Sequence, residues 1–153
     1  TGNVKVFATR KDLKELCLAD CHNLQGDIAI FSSLVELKEV TLARCKMLRG
    51  HIDDTFSALK KLEKLDLEEC KELTGNVKVF ATRKDLKELC LADCHNLQGD
   101  IAIFSSLVEL KEVTLARCKM LRGHIDDTFS ALKKLEKLDL EECKELTGNV
   151  KVF

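Results

Sequence analysis

"LKELCLADCHNLQGDI" spans residues 13–28 and returns unchanged at 86–101. Its core, "ELCLAD", alternates. Leu16 and Leu18 face one side, and Glu15, Cys17 and Ala19 face the other, which is the period of a β-strand. A strand that short cannot bury its apolar face alone and needs copies of itself alongside. The copies are present: residues 1–73 and 74–146 are identical, and "TGNVKVF" starts a further copy at 147. Natural duplicates drift, so 73 unchanged positions point to an engineered or consensus-built array, or to a recent duplication.

Each block divides into three units. They read "LKELCLADCHNLQGDIAIFSSLVE" (13–36), "LKEVTLARCKMLRGHIDDTFSALKK" (37–61) and "LEKLDLEECKELTGNVKVFATRKD" (62–85). The second triplet starts at Leu86, Leu110 and Leu135. All six units share L-x-x-[LV]-x-L-x-x-C-x-x-L-x-G-x-[IV], followed by a Phe. The pattern resembles the leucine-rich-repeat family in its cysteine-containing version, over essentially the whole chain. The L-x-G-x-I portion is also similar to plant-type repeats, although no Pro follows the Ile. The resemblance implies an α/β solenoid, with a curved parallel β-sheet on the concave side and short helices or loops on the convex side. It also implies binding of proteins or other ligands on that sheet.

Strands stacked about 4.8 Å apart would carry six units over roughly 29 Å. The expected organisation is one solenoid over 1–153, with units starting near 13, 37, 62, 86, 110 and 135 and half-units at both ends. A glycine recurs in every unit, where the chain turns with positive φ or tight backbone approach. Phe31, Phe56, Phe80, Phe104 and Phe129, with Phe7 and Phe153 beyond them, should stack as an aromatic column behind the sheet. Stretches such as "FSSLVEL" and "TFSALKKL" suit short convex helices, while Arg10 and Arg83 replace a leucine there.

Composition narrows the partners. Net charge is −1, with 25 basic against 26 acidic residues, so nothing electrostatic favours nucleic acid or an anionic membrane. Trp and Tyr are absent and Phe numbers seven, so stacking platforms are scarce. No apolar run reaches the length of a membrane span. Eight cysteines behind a start that does not read as a signal peptide predict reduced thiols and a cytoplasmic location.

The cysteines raise the question of metal. Cys21, Cys45, Cys70, Cys94, Cys118 and Cys143 occupy one position of the repeat. Zinc needs ligands that converge tetrahedrally, whereas a solenoid lays these thiols along a line. They are expected to be structural, small apolar residues with a weak S–H donor. Cys17 and Cys90 lie between core leucines and should be exposed on the concave face. At about 14 Å apart they are too distant for a disulfide. His22, His51, His95 and His124 read as surface loop residues. No nucleophile and base come together by spacing, so neither a cofactor nor an enzymatic activity is expected.

Stacking predicts rows of like positions on the concave face. One reads Glu15, Glu39, Lys64, Glu88, Glu112, Lys137; the next Cys17, Thr41, Asp66, Cys90, Thr114, Asp139. A third reads Ala19, Ala43, Glu68, Ala92, Ala116, Glu141; a fourth Asp20, Arg44, Glu69, Asp93, Arg117, Glu142. Arg44 and Arg117 each fall between acids of the neighbouring units, which would hold strands in register. The rows describe either a mildly acidic, periodic face for a protein partner or a solvated sheet surface with compensating charges. The other expected partner is a further copy of the chain, met head to tail through open solenoid ends.

Overall fold

The computed structural model describes residues 2–149, so Phe153 lies outside the described residues. Its strands, in chain order, are β1 (Gly2–Asn3), β2 (Glu15–Cys17), β3 (Leu24–Asp27), β4 (Glu39–Thr41), β5 (Leu48–His51), β6 (Lys64–Asp66) and β7 (Leu73–Asn76). They continue as β8 (Glu88–Cys90), β9 (Leu97–Asp100), β10 (Glu112–Thr114), β11 (Met120–His124), β12 (Lys137–Asp139) and β13 (Leu146–Thr147). Two α-helices, α1 (Ile52–Phe56) and α2 (Ile125–Phe129), and four 3-10 turns complete the coils.

Even-numbered strands form one six-stranded parallel sheet in the order β2-β4-β6-β8-β10-β12. Its register is the predicted one: Glu15 opposes Glu39, Glu39 opposes Lys64, Lys64 opposes Glu88, and Glu112 opposes both Glu88 and Lys137. Each strand is three residues long rather than six, because a turn follows at once. Leu18 O accepts from Cys21 N at 3.2 Å, and Asp20 inside that turn has φ 61°.

A second, seven-stranded parallel sheet, β1-β3-β5-β7-β9-β11-β13, was not foreseen. It is built from the L-x-G-x stretch, which the sequence suggested was only a glycine exit. Here the glycine serves close packing as well as turning. Gly99 has φ +132°, and a Cβ on it would lie 2.5 Å from Asn76 Oδ1. The helical turns begin earlier than predicted, at the Ile or Val directly after this sheet. Asp27, Asn76 and Asp100 start three of them by accepting from the backbone N–H two residues on. In the 25-residue units His51 and His124 stand at that place and make no such cap. Instead Asp53 and Asp126 accept from Asn76 N and Asn149 N of the next unit.

Between the two sheets and the helical turns lies a continuous core of leucines, Ile, Val and Phe. Phe31, Phe56, Phe80 and Phe104 are fully buried and Phe129 nearly so. They do not form one unbroken column. Rings meet between Phe7 and Phe31 at 6.5 Å and between Phe56 and Phe80 at 6.0 Å. No ring contact joins Phe31 to Phe56 among the described residues.

Arg83 interrupts the leucine positions Leu34, Leu59, Leu107 and Leu132 and is itself buried. Its Nη2 donates to Thr82 Oγ1 at 2.8 Å and to Ser57 O at 3.3 Å, while its Nε has no partner. Burial pushes its pKa down. A guanidinium without a carboxylate in a leucine column opposes folding. Arg83→Leu is expected to raise stability by about 1–3 kcal/mol, read as a higher urea midpoint. Gly99→Ala should lower it by about 1–3 kcal/mol, since the new Cβ meets Asn76 in a left-handed backbone conformation.

Candidate binding face

The outer face of the six-stranded sheet carries three of the four predicted rows. Glu15, Glu39 and Glu112 are exposed, and Lys64, Asp66, Glu68 and Glu88 are half-buried. Thr41, Thr114 and Asp139 are half-buried, and Glu141 is exposed. In the third row the small residues Ala43, Ala92 and Ala116 are buried rather than presented. The backbone ladder there is still closed, with Asp20 N donating to Ala43 O at 2.9 Å, and neighbouring strands cover so short a side chain. Cys17 is exposed as expected, but Cys90, flanked by strands on both sides, is half-buried.

The fourth row leaves the sheet. Asp20, Arg44, Glu69, Asp93, Arg117 and Glu142 occupy the turn beyond it, all with φ between 55° and 61°. Backbone strain of about 1 kcal/mol or more attends a non-glycine residue there. Ion pairs accompany it. Arg44 Nε and Nη2 grip Asp20 at 2.6 and 2.8 Å, and Nη1 reaches Glu68 at 2.9 Å. Arg117 holds Asp93 and Glu141 in the same way. The second acid of each clamp is thus Glu68 or Glu141, not the predicted Glu69 or Glu142, and Glu69 meets Lys46 at 3.3 Å. The Arg44 and Arg117 hydrogen bonds hold Asp20 and Asp93 below the usual carboxylate range.

Sequence reasoning missed a second ladder, one position before the first row. Glu63 accepts from Lys38 at 3.0 Å and from Lys87 at 2.6 Å, bridging three units. Its signal was present: Lys14, Lys38, Glu63, Lys87, Lys111 and Glu136 alternate with the same three-unit period. On the outer face Lys64 pairs with Glu88 at 2.6 Å and Lys137 with Glu112 at 3.7 Å. A shallow depression of about 330 Å³ opens across these strands, lined by Lys64, Asp66, Glu88, Cys90, Glu112 and Thr114 among others.

The repeat cysteines have a definite role. Cys45, Cys70, Cys94, Cys118 and Cys143 each donate Sγ–H to a carbonyl of the preceding unit, from Leu18 O at 2.9 Å to Leu115 O at 3.0 Å. Cys21 departs from the expected buried column and is exposed, since the described residues place no such unit before it. Among the described residues no group of three or more His, Cys, Asp or Glu could hold a metal ion. His22 and His95 lie in the loops, and their Nδ1 atoms donate to Arg44 O and Arg117 O, tying one unit's turn to the next. His51 and His124 face Asp53 and Asp126 at 3.3 and 3.4 Å.

Burial pushes Cys70 and Cys118 up to about 12, so these thiols stay protonated where an unfolded chain would ionise. An acid with a raised folded pKa gives stability that is full below its unfolded value and lost as pH rises toward the folded one. Stability should therefore fall between about pH 9 and about pH 12. Cys118→Ser, titrated by urea unfolding across that range, should show a shallower fall.

No protein-family model and no curated protein matches the chain. Solved structures do. The ectodomain of the receptor kinase SOBIR1 from Arabidopsis thaliana, a leucine-rich-repeat (LRR) structure, superposes with a TM-score of 0.64 at 24% identity. The match covers 82% of this chain and 68% of that one. An internalin from Listeria monocytogenes gives 0.65 at 17% identity, over 97% of this chain and 47% of that one. A plant ice-binding protein gives 0.73 at 25% identity, over 97% and 54%. The chain thus spans from about half to two thirds of the length of these structures.

Proposed function

With a leucine-rich-repeat solenoid as its fold, we propose that this chain is a non-enzymatic scaffold that binds protein through the outer face of its six-stranded sheet. The observation that carries the reading is charge segregation. The three sheet rows hold eight carboxylates (Glu15, Glu39, Asp66, Glu68, Glu88, Glu112, Asp139 and Glu141) and two lysines, on a chain whose net charge is −1. Both lysines are engaged by neighbouring glutamates. Such a face attracts a cationic partner and repels phosphates, so a basic protein segment fits it better than nucleic acid or an anionic membrane. The sheet is regular, which suits an extended segment whose basic residues repeat. Receptor ectodomains and internalins share the fold, which supports binding over catalysis.

Its origin, in this reading, is designed, consensus-derived or freshly duplicated, supported by the identity of residues 1–73 and 74–146. The free cysteines support a reducing, cytoplasmic setting.

An extended Lys- and Arg-rich peptide is the probe. Binding measured by calorimetry should weaken as salt is raised. It should weaken by about tenfold when Glu88 and Glu112 are both changed to Lys. The same charge change on the helices, Asp54→Lys with Asp127→Lys, should leave it near its original value. Equal loss from both pairs would mean only net charge matters and would contradict a site on the sheet.

A further inference from the structure

The two edges of the six-stranded sheet are chemically complementary, and the protein already contains the junction they would make. Strand β12, Lys137–Asp139, has the sequence of β6, and β2, Glu15–Cys17, has the sequence of β8. Inside the chain β6 and β8 pair, with Lys64 opposite Glu88, Leu65 opposite Leu89 and Asp66 opposite Cys90. Lys64 binds Glu88 at 2.6 Å, and Glu63 binds Lys87 at 2.6 Å. Among the described residues β12 has a strand on one side only, as has β2. The apolar side chains behind β12 register the difference. Leu138, Leu140 and Leu146 are half-buried, whereas their equivalents Leu65, Leu67 and Leu73 are at most 1% exposed.

We propose that the 153-residue chain associates end to end with a second copy, β12 of one pairing with β2 of the next in the register of β6 and β8. Lys137 then meets Glu15 of the next copy, Glu136 meets its Lys14, and Leu138 is covered as Leu65 is. This interface is separate from the outer-face reading and does not depend on it.

The junction also has a conflict that the sequence defines. In the interior, β7 is one strand: Leu73 and Thr74 pair back onto β5, and Gly75 and Asn76 pair forward onto β9. At the ends this strand exists in halves. Leu146 and Thr147 pair back onto β11, and Gly2 and Asn3 pair forward onto β3. End-to-end stacking completes the strand from one half of each copy, and Gly148 and Asn149 compete with the incoming Gly2 and Asn3 for one place. The incoming pair leads into Val4, which is fully buried, and Phe7, which packs on Phe31. Thr147, Gly148 and Asn149 are exposed. In the proposed junction Gly148 and Asn149, the latter held by its N–H to Asp126 at 2.8 Å, give way to that pair.

Sedimentation equilibrium in reductant, over a wide concentration range, tests this. The wild-type chain should grow beyond 17.2 kDa with concentration. Inverting the β2 side (Lys14→Glu with Glu15→Lys) should weaken association by about tenfold, as should inverting the β12 side (Glu136→Lys with Lys137→Glu). An equimolar mixture of the two inverted proteins should recover it, because each mismatched end finds its complement in the other protein. Gly148→Val, whose side chain would collide with Ile125 in a left-handed backbone conformation, should strengthen association by releasing the competing stretch. A single-chain mass at every concentration would overturn the proposal. So would association indifferent to the inversions, a mixture no stronger than its components, or a weakening by Gly148→Val.

Discussion

Lateral pairing of one three-residue strand with its counterpart in the next unit is the constraint on which the rest of this protein depends. A single unit has no core: its leucines become buried only when a neighbour lies about 4.8 Å away on each side. The ladder fixes the register, and the register then places every other contact. Cys118 reaches Leu91 O, His95 reaches Arg117 O, and Glu63 reaches both Lys38 and Lys87 because like positions are held abreast. Units at the two ends, with one neighbour each, are the ones whose leucines remain half-buried, as at Leu18 and Leu138.

Charge is superimposed on this lattice with a period of three units. The first-row residues are Glu, Glu, Lys, and the residues before them are Lys, Lys, Glu. Where two like charges adjoin, as at Glu15 and Glu39, the third unit supplies the opposite one. Individually such exposed pairs contribute about 0.2–1 kcal/mol. Their effect is on register and on which unit follows which. The turn beyond the sheet shows the same economy of parts. A left-handed backbone that glycine would adopt without strain is given to Arg44 and Arg117, and the side chains gained there clamp acids of the units on either side.

Much of this was legible in the sequence because period alone determines it. Alternation in "ELCLAD" gave the first sheet, the recurrence of the unit gave its parallel register, and the one-per-unit spacing of the cysteines gave their structural role. The second sheet was hidden because L-x-G-x has no alternating apolar pair to mark it. Its strands are held by backbone hydrogen bonds and a glycine that admits the neighbouring Asn or Asp side chain. The displacement of Asp20 and its equivalents from sheet to turn was hidden for a related reason, since a charged side chain does not announce a positive φ. The fate of Arg83 was half visible: the sequence showed it in a leucine's place, and only packing shows it buried there with an unpartnered Nε. For the outer face, the sequence supplied its rows and its acidity. The depression across its strands and the engagement of both lysines depend on geometry.

Amide hydrogen exchange, resolved along the chain, tests the dependence of each unit on its neighbours most directly. If lateral pairing makes the fold, protection should peak at the central ladder amides, such as Leu67 and Leu91, whose bonds run to Cys90 O and Thr114 O. It should fall stepwise toward β2 and β12, so that chemically identical residues of the two blocks exchange at different rates according to position. Equivalent residues of the two blocks opening at the same free energy, below that of global unfolding and with the end ladders as protected as the central ones, would mean that each unit holds itself, and would contradict the account.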